Sequence, residues 1–385
     1  MSKTSSGARL CSLRYSEFEG GDDAWTLDAV ELNAINLFVG RNSAGKTRLL
    51  NVMTGLAKLV SGEFRTLFSS GDYAAEIDVG DVRFSYRLVM RDSKVALESL
   101  RRDGQILFDR DQEGSGRIFA EREGQFIQFS VPTELLVVSS RRDKLQHPYL
   151  EELHRWASSV RHYRFANSFD PAAHAALPSL MALDPAEEKG VEVGRIHEIY
   201  TKGYGRFGGR FDDAILSDLA LLGYECEEVG TEQLHLPQMK GLPLATLFVK
   251  ERDILAKTIQ SKMSQGMFRA LSLVIDLNYV LLSGGPTTVV VDDVGEGLDF
   301  ERSQAMIRLL SSKADEGGWQ LIMATNDRFA VNSLPLEAIG VVSRQGPYVR
   351  VINSRSSPEL FQSFRYTGLS NFDFFTDRFY ESKVH

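Results

Sequence analysis

The hydrophobic pattern at the start of the chain predicts three strands followed by a helix. Residues 8–15 and 24–32 carry alternating or continuous apolar positions, and Ile35–Val39 is a short, mostly apolar run. Such a run is typical of a buried parallel strand. From about Gly45 onward, leucines recur at helical spacing. We therefore expect the third strand to lead through a glycine-containing loop into a helix.

The pattern then changes to short strand-like runs over residues 64–131. Turns such as Gly80-Asp81 and Glu123-Gly124 separate several of these runs, which is typical of an antiparallel meander. We predict a further buried strand over 135–140 and a helix over 148–163. Residues 172–183 are a weaker helix candidate because Pro178 interrupts them.

The second half of the chain becomes regular again after residue 246. Helical spacing is visible over 191–204 and 210–223, whereas the Gly-rich, basic stretch 201–209 is expected to be a flexible loop. Helices are predicted over 251–262, 267–282 and 301–313, with strands over 287–291 and 319–325. This alternation of strand and helix indicates an α/β fold with a parallel sheet.

Composition excludes a disordered, fibrous or membrane-spanning protein. The chain has 385 residues, 25% of them charged, and a net charge of −8. An acidic chain is not a generic nucleic-acid coat, although a local basic patch remains possible. Two cysteines and the lack of a long apolar segment lead us to expect a cytoplasmic protein.

The strongest chemical signal lies between the third strand and the following helix. Residues 40–47 match the phosphate-binding pattern G-x-x-x-x-G-K-[ST] completely. Its glycines let backbone N–H groups face a phosphate, the lysine reaches the β- and γ-phosphates, and the hydroxyl ligates Mg²⁺. The residues predicted to bind ATP are Gly40, Arg41, Asn42, Ser43, Ala44, Gly45, Lys46, Thr47 and Arg48.

Two adjacent carboxylates are the expected counterpart of this P-loop. The β-branched run 287–291 ends in Asp292 and Asp293, and ligands bind at the carboxyl ends of strands in open α/β sheets. We expect Asp292 to hold Mg²⁺ together with Thr47, and Asp293 to polarise the attacking water. A pair of acids in a solvated loop is the alternative.

Two further motifs resemble those of the ATP-binding-cassette (ABC) ATPases. Ser264, Gln265 and Gly266 precede a helix as the family's signature does, and Asp299 follows the acid pair as in its D-loop. The resemblance implies an ABC-type P-loop ATPase head with an antiparallel β subdomain and an inserted helical region. It also implies a homodimer in which the signature of one protomer contacts ATP bound to the other. An ordinary helix cap at Ser264 is the alternative.

Two positions depart from the family pattern. Asn326 stands where the switch histidine is usual, and Asp293 where the family usually has Glu. Asp is one methylene shorter, and a misplacement of roughly 1.5 Å can cost about 10²-fold in rate. We therefore expect slow or partner-dependent hydrolysis.

The subclass is suggested by Ser264, Gly266, Arg269 and Leu271. This pattern resembles stand-alone bacterial ATPases of the RecF/SMC-like ABC class, related to RecF and to the overcoming-lysogenization-defect family, which are common in anti-phage defence. Chromosome-maintenance (SMC) proteins themselves place a long coiled coil between the P-loop and the signature, and no heptad pattern predicts one in this chain. The resemblance implies control of a separate effector, a nuclease or other toxin, because residues 327–385 are too few for a nuclease domain. The alternatives are a RecF-like ATPase that binds duplex DNA and a scaffold with negligible turnover.

The expected domain organisation follows from these motifs. Residues 1–145 and 246–350 should form the ATPase head, with 146–245 as a mainly helical insertion. Residues 351–385 form a segment with many aromatic residues. This segment either packs on the core of its own chain or docks onto a partner.

Overall fold

The fold divides into two compact units. We describe it from a computed structural model, which describes residues 7–64, 66–165, 196–234, 244–285 and 287–381. Unit 1 comprises the described parts of 1–160, 287–290 and 318–385, and unit 2 those of 161–286 and 291–317.

Unit 1 is built on a large mixed sheet. Its strands are β1 (Arg9–Glu17), β2 (Trp25–Glu31), β3 (Ile35–Val39), β4 (Ser70–Val79), β5 (Val82–Arg91), β6 (Lys94–Arg102), β7 (Gln105–Arg110), β8 (Ser115–Ala120), β9 (Gln125–Ser130), β14 (Thr288–Asp292), β15 (Gln320–Ala324), β16 (Ile339–Gln345) and β17 (Tyr348–Asn353). Across the sheet they follow the order β14, β15, β3, β16, β17, β2, β1, and then β4 to β9 in sequence.

Strand direction separates this sheet into two regions. The buried strand β3 pairs in parallel with β15 on one side and with β16 on the other. Strands β4 to β9 pair only antiparallel with one another. The expected α/β fold with an antiparallel meander is therefore confirmed.

Helices cover the sheet of unit 1 and close its core. They are α1 (Lys46–Ser61), α2 (Val137–Ser140), α3 (Pro148–Ser159), α8 (Pro358–Arg365) and α9 (Asn371–Thr376), with 3-10 turns at Arg328–Ser333, Leu336–Ala338 and Phe379–Glu381. The leucine face of α1, including Leu49 and Leu56, is buried in one hydrophobic core with Trp156 of α3. Burial of that face explains why the helix follows the P-loop directly.

The aromatic residues of the C-terminal segment pack against one another in unit 1. Phe361, Phe364 and Phe374 are buried, and the ring of Phe374 lies 4.9 Å from each of the other two. Asn371 Nδ2 also donates to the carbonyl oxygens of Val331 (3.1 Å) and Leu334 (2.9 Å). These contacts fix the segment on its own chain.

Unit 2 contains helices around a small antiparallel sheet. Its elements are β10 (Val160–Arg164), α4 (Ile196–Phe207), α5 (Gly209–Leu221), β11 (Cys226–Leu234), β12 (Leu244–Glu251), β13 (Thr258–Ile259), α6 (Gln265–Leu282) and α7 (Phe300–Gly317). Helix α6 is buried along most of its length and contacts both α4 and α5. The two helices predicted over 191–204 and 210–223 are present here within the described residues.

Three local predictions are wrong. Residues 135–140 form a turn and α2 instead of a strand, and 251–262 contain the end of β12, β13 and a 3-10 turn instead of a helix. The expected loop 201–209 is helical through Phe207, because Tyr200 and Phe211 pack on each other (5.9 Å) around this stretch. The helix candidate at 172–183 lies outside the described residues.

Candidate functional site

The P-loop connects β3 to α1 through backbone that requires glycine at two positions. Gly45 has φ 102° at the N-cap of α1, a conformation that L side chains rarely adopt. A Cβ on Gly40 would lie 2.6 Å from the carbonyl oxygen of Val342, so only glycine allows this approach. The loop therefore forms a narrow cradle directly before a helix N-terminus, which is a site for anions.

Lys46 lies across the start of this cradle. Its side chain is buried, and Nζ donates to the carbonyl oxygens of Gly40 (2.9 Å) and Arg41 (3.1 Å). Thr47, the next residue, is exposed in the first turn of α1. A buried ammonium group beside an exposed hydroxyl at a helix start fits a nucleotide phosphate with its Mg²⁺.

Arg48 has other partners in the structure. Its guanidinium forms an ion pair with Glu17 and lies 4.7 Å from the ring centroid of Trp25. A contact between Arg48 and ATP stays a prediction.

Asn326 lies at the same end of the sheet as the P-loop. Because β15 and β3 run parallel with Ala324 opposite Phe38, the residues that follow each strand emerge side by side. Thr325 N–H also donates to the carbonyl oxygen of Phe38 (3.1 Å). The exposed Asn326 is therefore level with Gly40, the first residue of the P-loop.

Asp292 is the last residue of β14, Asp293 follows it, and both acids belong to unit 2. Asp292 is 4% exposed, and its Oδ1 accepts from the N–H of Asp293 (3.1 Å). Asp293 is half-buried and has φ 51°, in the left-handed region that non-glycine residues seldom occupy. Backbone strain of this kind is often found at functional sites.

The signature and the D-loop pack tightly together in unit 2. Ser264 Oγ caps α6 by accepting from Met267 N–H (3.2 Å), and Ser264 and Gln265 remain exposed. Gly266 is buried, and a Cβ there would lie 2.5 Å from the carbonyl oxygen of Gly297. Ser264 thus forms the ordinary helix cap that was the alternative interpretation. Gly266, two residues later, allows a close backbone contact that a helix cap alone does not require.

Arginine side chains stabilise this pair of loops. Arg269 Nη1 donates to the carbonyl oxygen of Glu296 (2.9 Å), which ties α6 to the loop after the acids. Asp299 Oδ1 accepts from the backbone N–H of Arg302 (2.9 Å) at the start of α7. That hydrogen bond lowers the pKa of Asp299, and the Arg302 guanidinium adds to the effect. Asp299 therefore carries its negative charge at neutral pH.

A cavity of about 390 Å³ beside the P-loop is lined partly by residues that the sequence did not suggest as site residues. It is lined by residues 40–44, by the end of β16 around Arg344, and by Tyr380 and Glu381. Aromatic enrichment marked the C-terminal segment, but no pattern in the sequence places that segment beside residue 40. Long-range folding of unit 1 brings the two together.

Other kinds of site are not found in the part of the chain that the structure describes. No group of three or more His, Cys, Asp or Glu side chains there could hold a metal ion by itself. None of the described helices combines the length and apolar character needed to cross a bilayer.

Comparisons with known proteins identify the fold. No family model and no curated protein matches the chain. The chain is similar to an Smc head bound to the C-winged helix domain of ScpA, with 13% identity, 89% of this chain and 97% of that chain covered, and a TM-score of 0.50. The SMC head domain from Thermotoga maritima follows, with 12% identity, 90% and 98% coverage and a TM-score of 0.43. The chain is also similar to an Smc head with an extended coiled coil, bound to the C-terminal domain of ScpA derived from Pyrococcus furiosus. The identity is 10%, 93% of this chain and 100% of that chain are covered, and the TM-score is 0.41.

These similarities concern the fold and do not single out the overcoming-lysogenization-defect family. The first of them spans nearly the whole of both chains. The described sheet, with β3 between parallel neighbours and an antiparallel meander beyond, agrees with it. The chain has the α/β fold of SMC heads, which is the fold of ABC-class ATPase heads.

Proposed function

We propose that the protein is an ABC-class ATPase that binds ATP and Mg²⁺, hydrolyses ATP slowly, and dimerises around it. The observation that carries the proposal is the buried Lys46 lying across a complete P-loop at the N-terminus of α1. The SMC-head fold supports the same class. An anion site with this lysine and this fold is suited to a nucleoside triphosphate.

The proposed chemistry divides between phosphate binding and activation of water. Lys46 and the N–H groups of the loop would bind the β- and γ-phosphates, and Asn326 would face the γ-phosphate end. Mg²⁺, bound through Thr47 and Asp292, would neutralise the charge that develops on the phosphates. Asp293 would accept a hydrogen bond from the attacking water, at a disadvantage because its side chain is short.

Dimerisation would complete the site with residues of a second protomer. Exposed Ser264 and Gln265, Gly266 at the start of α6, and Asp299 are all on one packed cluster of unit 2. A hydroxyl group and a helix N-terminus form an anion site, so this cluster is suited to a γ-phosphate presented by a partner protomer. ATP would then favour the closed dimer over the open one.

The biological output that we propose is control of a separate effector protein, such as a nuclease or other toxin, in anti-phage defence. This part of the proposal rests on the sequence pattern of Ser264, Gly266, Arg269 and Leu271. An Smc head in the comparison is bound to a separate protein, ScpA. A head of this fold is therefore compatible with a partner on another chain.

A scaffold that binds ATP and barely hydrolyses it is the second candidate. It is favoured by Asp293 and Asn326, the two positions that depart from the family pattern. The two candidates differ in their response to variants that block hydrolysis. Such variants should change how the ATPase controls its effector, but they should leave a scaffold unaffected.

The test combines titration calorimetry with ATP and Mg²⁺ and gel filtration. Lys46→Ala should weaken ATP binding at least 100-fold, while Lys94→Ala, at an exposed lysine of the meander, should bind as the wild type does. Asp293→Asn should keep ATP binding and elute as a stable dimer with ATP. If Lys46→Ala binds ATP normally, the ATP site is wrong. If Asp293→Asn stays monomeric with ATP even beside its native partner, the composite site is wrong.

A further inference from the structure

The cavity beside the P-loop adjoins only one half of that loop. Its lining includes residues 40–44 but not Gly45, Lys46 or Thr47. The phosphates of a bound nucleotide would lie at the N-terminus of α1 and beside the ammonium group of Lys46, which donates to the carbonyl oxygens of Gly40 and Arg41. The cavity adjoins these same two residues, so it lies next to the proposed phosphate site.

The size and shape of the cavity suit the rest of a nucleotide. Its volume of about 390 Å³ falls within the range of sites for small organic ligands, roughly 300–1,000 Å³. One wall is the glycine-containing loop, a second is the end of β16 at Val342 and Arg344, and a third is the 3-10 turn Phe379–Glu381. A base and ribose attached to phosphates on the P-loop have this space available.

Tyr380 is a fixed aromatic wall of the cavity. Its side chain is 9% exposed, and its ring stacks on Phe375 with centroids 6.0 Å apart and lies 6.3 Å from Phe374. Burial raises the pKa of Tyr380, and the positive charge of Arg41 opposes that shift. The ring is thus neutral, held by its neighbours and close to a P-loop arginine.

Two charged side chains complete the lining. Glu381 is exposed and lies 3.8 Å from the guanidinium of Arg378, near the long limit of an ion pair. Arg41 is exposed and forms no ion pair within the described part of the chain. An aromatic face, a carboxylate acceptor and a guanidinium together match a nucleoside, which has an aromatic face and O–H or N–H donors.

We propose that Tyr380 and Glu381 form a nucleoside subsite in which the C-terminal segment binds the base and ribose of the ATP whose phosphates lie on the P-loop. The proposal rests on the ATP binding proposed above. The ring of Tyr380 packs against the nucleoside, and the carboxylate of Glu381 accepts a hydrogen bond from its amino or hydroxyl groups. The C-terminal segment then binds the nucleoside, whereas Lys46 and the P-loop bind the phosphates.

Calorimetric titration with Mg²⁺-ATP and with Mg²⁺-tripolyphosphate separates these two contributions. Tyr380→Ala should bind ATP about 10-fold more weakly, the loss expected for one aromatic contact to a base, and tripolyphosphate unchanged. Tyr366→Ala is the matched control, because this aromatic residue of the same segment is 83% exposed. It should bind both ligands as the wild type does.

Glu381→Gln provides an independent variant at an exposed position that folding tolerates. If the carboxylate binds the amino group of the base, the preference for ATP over GTP should fall. If it binds the ribose, the preference for ATP over 2′-deoxy-ATP should fall. Unchanged preferences for both pairs would remove Glu381 from the subsite.

The outcomes distinguish this inference from the proposed function. If Lys46→Ala loses both ligands while Tyr380→Ala changes neither, ATP binds the loop and the subsite is wrong. If Tyr380→Ala weakens ATP and tripolyphosphate equally, the segment only supports the loop and the subsite is also wrong. If the wild type binds neither ligand, the proposed function fails and the subsite with it.

Discussion

A single glycine determines how closely the signature and the D-loop approach. Gly266 is buried at the start of α6, where a Cβ would lie 2.5 Å from the carbonyl oxygen of Gly297 and 3.1 Å from the side chain of Leu298. A backbone atom cannot move aside as the end of a flexible side chain can. The chemistry attributed to Gly266 from the sequence was the binding of a partner's phosphate, and its packing role was not foreseeable without the fold.

Gly266→Ala should therefore loosen the D-loop. Crowding of this kind costs about 1–3 kcal/mol, so hydrogen exchange in residues 293–299 should become about 10-fold faster. Hydrogen–deuterium exchange with mass spectrometry measures this directly. Gly205→Ala is the matched control, since that glycine is also helical and has no atom within 4 Å of its added Cβ. Equal exchange in the two variants would contradict the packing role.

At the scale of elements, α2 forms because a distant carboxylate accepts from its N-terminus. Glu98 on β6 is fully buried and accepts from the N–H groups of Val137 (2.7 Å) and Val138 (3.0 Å). Its Oε1 also accepts from Tyr86 Oη (3.0 Å), and Arg110 lies 3.8 Å from its Oε2. Desolvation raises the pKa of Glu98, and these partners oppose that shift.

This network explains which elements the sequence could predict. The P-loop, α1 and β3 are specified by neighbouring residues, so motif and periodicity were sufficient. Residues 135–140 have the apolar composition of a strand, but Glu98 directs their N–H groups into a helical turn. Tyr380 likewise reaches the P-loop cavity through tertiary packing alone. Interactions over long sequence distances therefore decide α2, which the local pattern predicts incorrectly, and the position of Tyr380, which it omits.

Glu98→Ala should destabilise unit 1 strongly. It would leave the Arg110 guanidinium buried without its carboxylate, which costs about 3–5 kcal/mol. Urea unfolding followed by tryptophan fluorescence reports on this unit, because Trp25, Trp156 and Trp319 all belong to it. Glu113→Ala, at an exposed turn, should change the free energy of unfolding by less than about 0.5 kcal/mol. Adding Arg110→Met to Glu98→Ala should recover part of the loss, and no recovery would mean that the charge is not the cause.

At the scale of the whole molecule, the distribution of charge bears on a DNA-binding function. The net charge is −8. Three arginines of the antiparallel meander are paired with carboxylates: Arg87 with Asp72, Arg102 with Glu121 and Arg117 with Asp109. Phosphate binding depends on cations that can displace counterions from DNA. Arginines that already have carboxylate partners on an acidic chain contribute little to that attraction.

We therefore predict that duplex DNA binds no more tightly than a dissociation constant of about 1 μM at roughly 150 mM salt, with or without ATP. Fluorescence anisotropy of a labelled duplex across 50–200 mM salt provides the measurement. A variant with Asp72→Asn, Asp109→Asn and Glu121→Gln is the control, because it releases three arginines from their carboxylates and should bind more tightly at low salt. ATP-stimulated binding by the wild type, with a steep loss of affinity as salt rises, would contradict the prediction. That result would favour a RecF-like ATPase that binds duplex DNA directly, because the attraction would then have to come from cations outside these ion pairs.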